Sequence, residues 1–234
     1  MNRGYNLGLK MTQAQTLLGW MYLPFYVLLI SLGLDYLSGL LNFPMTAFSK
    51  NVAYFAINFT FVLCVYGKFL VKSFQGFTSR FWQFIQALIL GFALYFFSSY
   101  VLSWVLNLLQ KDLPNYNDQN VSALLAQNKT IMFLCILVVV PIVEEVLFRG
   151  VLFGSLHGKN RIAAYVVSVL LFAAVHVWQY YSTAGLWVVL LNTLQYVPAA
   201  VAFAWTYEKS GTIWTSIVLH ISINAMTLGL SPHF

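Results

Sequence analysis

The stretch VVVPIVEEVLFRG (residues 138–150) sets two adjacent glutamates, Glu144 and Glu145, inside one of the most apolar parts of the chain. The whole sequence has 234 residues and only 6 acidic ones. An ionised carboxylate is most costly in such a setting, so the pair needs an explanation.

The surrounding composition sharpens the question. Hydrophobic residues make up 60% of the chain and charged residues 8%, against about 25% charged in an ordinary soluble domain. Several apolar runs reach the roughly 20 residues that cross a bilayer. In lipid a helix satisfies its own backbone polar groups. The expected fold is therefore all-α, a polytopic transmembrane helical bundle. About seven spans are expected, near 16–41, 51–70, 81–109, 130–156, 162–181, 185–207 and 212–230. The polar segment 111–129 is the one clear break. It divides residues 1–125, a three-span region with an outer loop, from residues 126–234, a four-helix core.

The net charge of +6 reflects topology and lipid contact. No basic patch interleaved with aromatics points to nucleic acid. With the N-terminus inside, the inner segments hold eight basic residues (Arg3, Lys10, Lys68, Lys72, Arg80, Lys159, Arg161, Lys209) and the outer segments three (Lys50, Lys111, Lys129). That asymmetry predicts a cytoplasmic N-terminus and an external C-terminus. The first apolar run has no cleavage-site pattern and reads as a retained helix. Cys64 and Cys135 lie in apolar runs without metal-ligand spacing and read as plain thiols.

Ionisable residues inside spans are functional candidates, and the C-terminal part holds nearly all of them. Glu145 and Arg149 are four apart, share a helix face and can pair. Glu144 points elsewhere, with no cation at helical spacing. An unpaired carboxylate in an apolar helix is the kind of group that serves as a general base. Pro141 removes a helical hydrogen bond to Leu137 and predicts a kink just before the glutamates. Phe172 and His176 share a face in the fifth span; His220 and Asn224 share one in the seventh. Alone, His176 reads as a packed, hydrogen-bonded histidine, and His220 with Asn224 reads equally well as polar contact between helices or as a functional pair. Asp35, His157 and His233 read as solvated, and Asn192 with Gln195 as interhelical hydrogen bonds.

Together, a carboxylate, two imidazoles and an amide can hydrolyse a carbonyl bond, by activating water and stabilising an oxyanion. No serine or cysteine stands in these motifs as nucleophile. HExxH is absent, although Glu144, His176 and His220 are a possible three-ligand zinc set.

EEVLFR (144–149), FAAVH (172–176) and HISIN (220–224) match EExxxR, FxxxH and HxxxN in order. This set resembles the CPBP family, the CAAX proteases and bacteriocin-processing or immunity proteins also called Abi, over roughly 130–230. The resemblance implies an intramembrane endopeptidase acting on a membrane-associated peptide or protein, bacteriocin or pheromone precursors among them. It implies Glu144 as the water-activating base, assisted by His176, with His220 and Asn224 at the oxyanion and Glu145, Arg149 and Phe172 in support. No cofactor is favoured; zinc on Glu144, His176 and His220 is the alternative, and a non-enzymatic bacteriocin-immunity protein is another. Richness in Phe, Tyr, Asn and Lys fits a bacterial cell-membrane protein.

Overall fold

A computed structural model describes residues 7–230. Arg3 and His233 lie outside them. Eight helices follow in order: α1 (Gln13–Leu40), α2 (Ala47–Ser79), α3 (Phe81–Leu109), α4 (Tyr116–Gln127), α5 (Lys129–His157), α6 (Arg161–Val175), α7 (Tyr181–Ser210) and α8 (Ile213–Leu230). No strand occurs among the described residues. The chain is an all-α, multi-pass membrane protein. Each expected apolar run is largely helical, but among the described residues five helices are both long and apolar enough to cross a membrane; α6 and α8 are shorter.

Local sequence sets the ends. Thr12 and Gln15 form a capping box at the start of α1. Asn115, Asn128 and Asn160 cap α4, α5 and α6, each side chain accepting a backbone N–H three residues on. Such caps satisfy donors that the first turn leaves open. Gly211, at φ 71°, ends α7 in the left-handed conformation and returns its N–H to Tyr207. A side chain there would be strained.

Two prolines widen their helices. Beyond Pro24 the turn Phe25–Leu29 is a π segment, and Cys135–Val139 is a second, just before Pro141. A third, Glu145–Phe153, begins directly after Glu144, and all nine of its residues are buried. π turns interrupt α-helices mostly at functional sites. This third segment is the axis of the molecule. It packs on α1, α6, α7 and α8, with Val146, Leu147, Val151 and Phe153 wholly enclosed. Aliphatic and aromatic side chains remain exposed on the outer faces, as at Leu17, Met21, Trp82, Phe97, Trp104 and Leu170. In water these would be unfavourable; against lipid they are not.

The span expected at 162–181 differs most. Helix α6 stops at Val175, and the chain passes through His176 and a short 3-10 turn, Trp178–Tyr180, before α7. Irregular backbone is tolerated at membrane depth only where protein or a water-filled cavity surrounds it. Val175, His176, Trp178 and Gln179 do line a large cavity.

Candidate active site

That cavity has a volume of about 1030 Å³. Its deep end carries Glu144, His176, His220 and Asn224, with Tyr26 from α1. Its other end is bordered by Lys50 and by residues between 110 and 124. The four principal candidates, spread over 80 residues of sequence, thus share one chamber. Near its mouth, burial raises the carboxyl pKa of Asp118 above the ordinary aspartate range, opposed by His176.

Glu144 is buried and its two oxygens differ. Oε1 accepts a hydrogen bond from Tyr26 Oη at 2.8 Å. Oε2 has no hydrogen-bond partner among the described residues. It lies 4.0 Å from His176 Nε2 and 3.8 Å from His220 Nε2. Both distances are too long for hydrogen bonds.

The far nitrogen of each imidazole is tied down. His176 Nδ1 lies 2.8 Å from the carbonyl oxygen of Phe172. A carbonyl only accepts, so Nδ1 carries the proton and, in the neutral ring, Nε2 is bare. His220 Nδ1 lies 2.9 Å from Glu145 Oε1, which fixes that ring the same way. Each ring also stacks on an aromatic neighbour from α7, His176 on Tyr196 and His220 on Phe203, at centroid distances of 4.5 and 4.4 Å. Two imidazoles are thereby aimed at one carboxylate oxygen.

Glu145 turns away from the chamber. The pair expected from i, i+4 spacing forms, with Arg149 Nη1 3.2 Å from Glu145 Oε1 and both side chains fully buried. Ser216 donates its hydroxyl to Glu145 Oε2. Arg149 Nη2 donates to the carbonyl of Ala200 at 3.1 Å, and its guanidinium lies 4.1 Å over the Phe172 ring and 5.1 Å over Phe203. A buried charge is tolerable when paired, hydrogen-bonded and stacked in this way. Phe172 is the common floor, touching Arg149, His176 and His220.

Asn224 has a task the sequence did not reveal. In the π turn before Pro141, Val140 N–H bonds to the Cys135 carbonyl, five residues back. Pro141 would serve Ile136 next but has no N–H. Asn224 Nδ2 fills the gap, donating to Ile136 O at 3.1 Å. The carbonyl of Ile136 thus takes its donor from another helix. One amide hydrogen of Asn224 remains for the chamber.

Several expectations on peripheral residues need correction. His157, expected to be solvated, is nearly enclosed and lies 2.7 Å from Glu208, which Arg161 and Tyr165 also contact. Asn192 bonds within its own helix, to Val188 O, in place of the expected interhelical contact. Asp35 is exposed, as expected, and pairs with Lys50. Of the residues missed, Ser216 stands four before His220 on the same face and was findable. Tyr196 and Phe203, seven apart on α7, share a face too, but aromatic residues are ordinary in a membrane helix. Tyr26 carries no local signal at all.

Comparison with known proteins bears on residues in this wall. Residues 126–226 match the family described as type II CAAX prenyl endopeptidase Rce1-like. A Lactococcus lactis subsp. lactis (strain IL1403) protein named "UPF0177 protein YxdF" is 33% identical over 87 residues, 37% of this chain and 42% of the relative. "Putative membrane peptidase YdiL" of Bacillus subtilis (strain 168) is 29% identical over 113 residues, 47% of this chain and 42% of the relative. The matches therefore span less than half the length of these curated relatives. No solved structure matches. EEVLFR, FAAVH and HISIN all lie inside the matched stretch, so it is over residues 126–226, with the candidate site residues among them, that the chain is similar to the Rce1-like family.

Proposed function

We propose that the chain is an intramembrane endopeptidase that hydrolyses a peptide bond in a membrane-associated peptide or protein, using water activated by Glu144. One observation carries this reading. The free Oε2 of Glu144 stands 3.8 and 4.0 Å from two aimed imidazole nitrogens. A water making hydrogen bonds of about 2.8 Å to an oxygen and a nitrogen, at roughly a right angle, spans about 4.0 Å. The gap is one water wide. The family description and the name of the Bacillus subtilis relative point to the same activity.

Glu144 Oε2 takes a proton from that water as its oxygen attacks the scissile carbonyl. The new C–O bond forms and the carbonyl electron pair moves onto oxygen. His220, as imidazolium, donates Nε2–H to this oxyanion while Nδ1–H stays on Glu145. The spare amide hydrogen of Asn224 is the second donor. His176 Nε2 orients the water. The C–N bond then breaks, and the proton held by Glu144 passes to the leaving nitrogen. Burial makes each of these interactions worth more than in water.

Zinc is the second reading, and one feature favours it: both Nδ1 atoms are anchored to acceptors, as metal-bound histidines usually are. The donor types fit and the spacing does not. Zinc at about 2.0–2.1 Å from an Nε2 and an Oε2, with tetrahedral angles, would bring them to about 3.4 Å. Each imidazole would have to close on Glu144 by about half an ångström to hold the ion that way.

The orientation is part of the same proposal. The excess of basic residues lies at the end away from the chamber mouth, so the mouth faces away from the cytoplasm. A cysteine placed at Asn117 should react with a membrane-impermeant maleimide added outside intact cells. Reaction only after the cytoplasmic face is opened would reverse the topology.

The activity is tested by mass spectrometry of membrane and released peptides from cells carrying wild-type protein, no protein, or Glu144→Gln. Fragments should appear with wild type alone. Identical peptide profiles in all three would remove the peptidase reading in favour of a binding protein.

A further inference from the structure

We propose that Tyr26, in the first membrane helix and outside the stretch that matches the family, is a positioning residue for Glu144. Its hydroxyl holds one carboxylate oxygen so that the other faces the two imidazoles across the width of a water. The inference rests on the peptidase reading for its functional meaning and on geometry for its contact.

The geometry begins with how α1 crosses α5. A Cβ at Gly19 would collide with the side chains of Val151 and Tyr66, so only glycine lets the two backbones approach this closely. The helices run antiparallel. Seven residues along α1 from Gly19 is Tyr26; seven residues back along α5 from Val151 is Glu144. Gly19 against Val151 and Tyr26 on Glu144 are thus two contacts of one antiparallel register, and the close approach at Gly19 holds α1 where Tyr26 reaches Glu144.

Tyr26 is then held from a second side. Tyr54 of α2 donates its hydroxyl to the backbone carbonyl of Tyr26 at 2.5 Å. One turn earlier, Tyr22 donates to Asn58 Oδ1 at 2.9 Å, and Asn58 returns its amide to Tyr54 O at 2.8 Å. The Tyr26 ring packs edge-on against Phe148, four residues beyond Glu144. The π turn Phe25–Leu29 lies where these contacts converge. A lipid-facing tyrosine would have none of them, and Tyr26 is 7% exposed.

The consequence concerns what the carboxylate would do without that hydroxyl. Two cationic or hydrogen-bonding imidazoles stand just beyond direct contact with Oε2. A carboxylate free to rotate or shift would close onto one of them as a charge-assisted pair, and the water would lose its place. Tyr26 keeps Oε1 occupied 2.8 Å away and so keeps the carboxylate and the imidazoles apart.

The test compares wild type, Tyr26→Phe and Glu144→Gln in lipid nanodiscs. Infrared difference spectra assign the Glu144 carboxylate bands as those lost in Glu144→Gln. In Tyr26→Phe these bands should shift, because one oxygen loses its donor. With a Glu144-dependent fragment as reporter, kcat should fall about tenfold or more while KM stays the same and the unfolding midpoint moves little. If Tyr26→Phe does not accumulate, Tyr54→Phe, which frees the Tyr26 carbonyl and keeps its hydroxyl, should broaden the same bands and lower kcat. Unshifted bands with unchanged kcat in Tyr26→Phe would overturn the assignment and leave the peptidase reading intact. A fully active Glu144→Gln would remove Glu144 as the water-activating base, while the bands still decide whether Tyr26 holds the carboxylate.

Discussion

Glu144→Gln is expected to lower peptide cleavage by about two to four decades, the usual contribution of a positioned general base, and to leave the fold intact. The amide oxygen can still accept from Tyr26, which holds Oε1 at 2.8 Å in the native site. The amide nitrogen then faces the bare Nε2 of His176 and can donate to it. No buried group loses its partner, so the unfolding midpoint in detergent should match wild type. An amide cannot take a proton from water, so turnover should collapse regardless. Cleavage persisting within a factor of a few of wild type would mean that another group activates the water.

Glu145→Gln should fail differently, although the two residues are adjacent and chemically identical. Glu145 serves three partners at once, Arg149, Ser216 and His220. Replacing it leaves the Arg149 charge fully buried without a counter-ion. Breaking one member of a buried pair costs about 3–5 kcal/mol, a large share of the roughly 5–15 kcal/mol that stabilises a typical protein. Stacking on Phe172 and Phe203 and the bond to Ala200 O offset only part of this. The His220 ring would also lose the carboxylate that holds its Nδ1–H, and with it the aim of Nε2. Lower yield, a lower unfolding midpoint and lost cleavage should come together. Equal stability for Glu144→Gln and Glu145→Gln, measured side by side, would contradict the division of roles between them.

Much of this was legible because polar residues in apolar helices stand out. Glu145 with Arg149, and His220 with Asn224, follow from i, i+4 spacing alone, and the all-helical membrane fold follows from the length of the apolar runs. The π segments were not legible. A periodicity of 3.6 assumes α-helix, so the wider turn before Pro141 and the use of Asn224 on Ile136 stayed hidden. The place of His176 depends on where α6 ends, and the helix stops one residue before it, short of the span expected at 162–181. Tyr26, Tyr196 and Phe203 escaped for a different reason. An aromatic residue in an apolar run looks the same whether it faces lipid or a catalytic carboxylate, and only the packing of α1 and α7 on α5 distinguishes them. His157 was misread because its partner, Glu208, lies 51 residues away at the end of α7.

The account turns on what fills the space between Glu144 Oε2 and the two imidazoles, and metal content measured alongside activity tests this most directly. Protein purified after treatment with a strong chelator should cleave its Glu144-dependent peptide at the full rate and contain no stoichiometric metal by elemental analysis. One zinc per active chain, lost together with cleavage and restored with it, would contradict the account and place a metal where a water has been drawn.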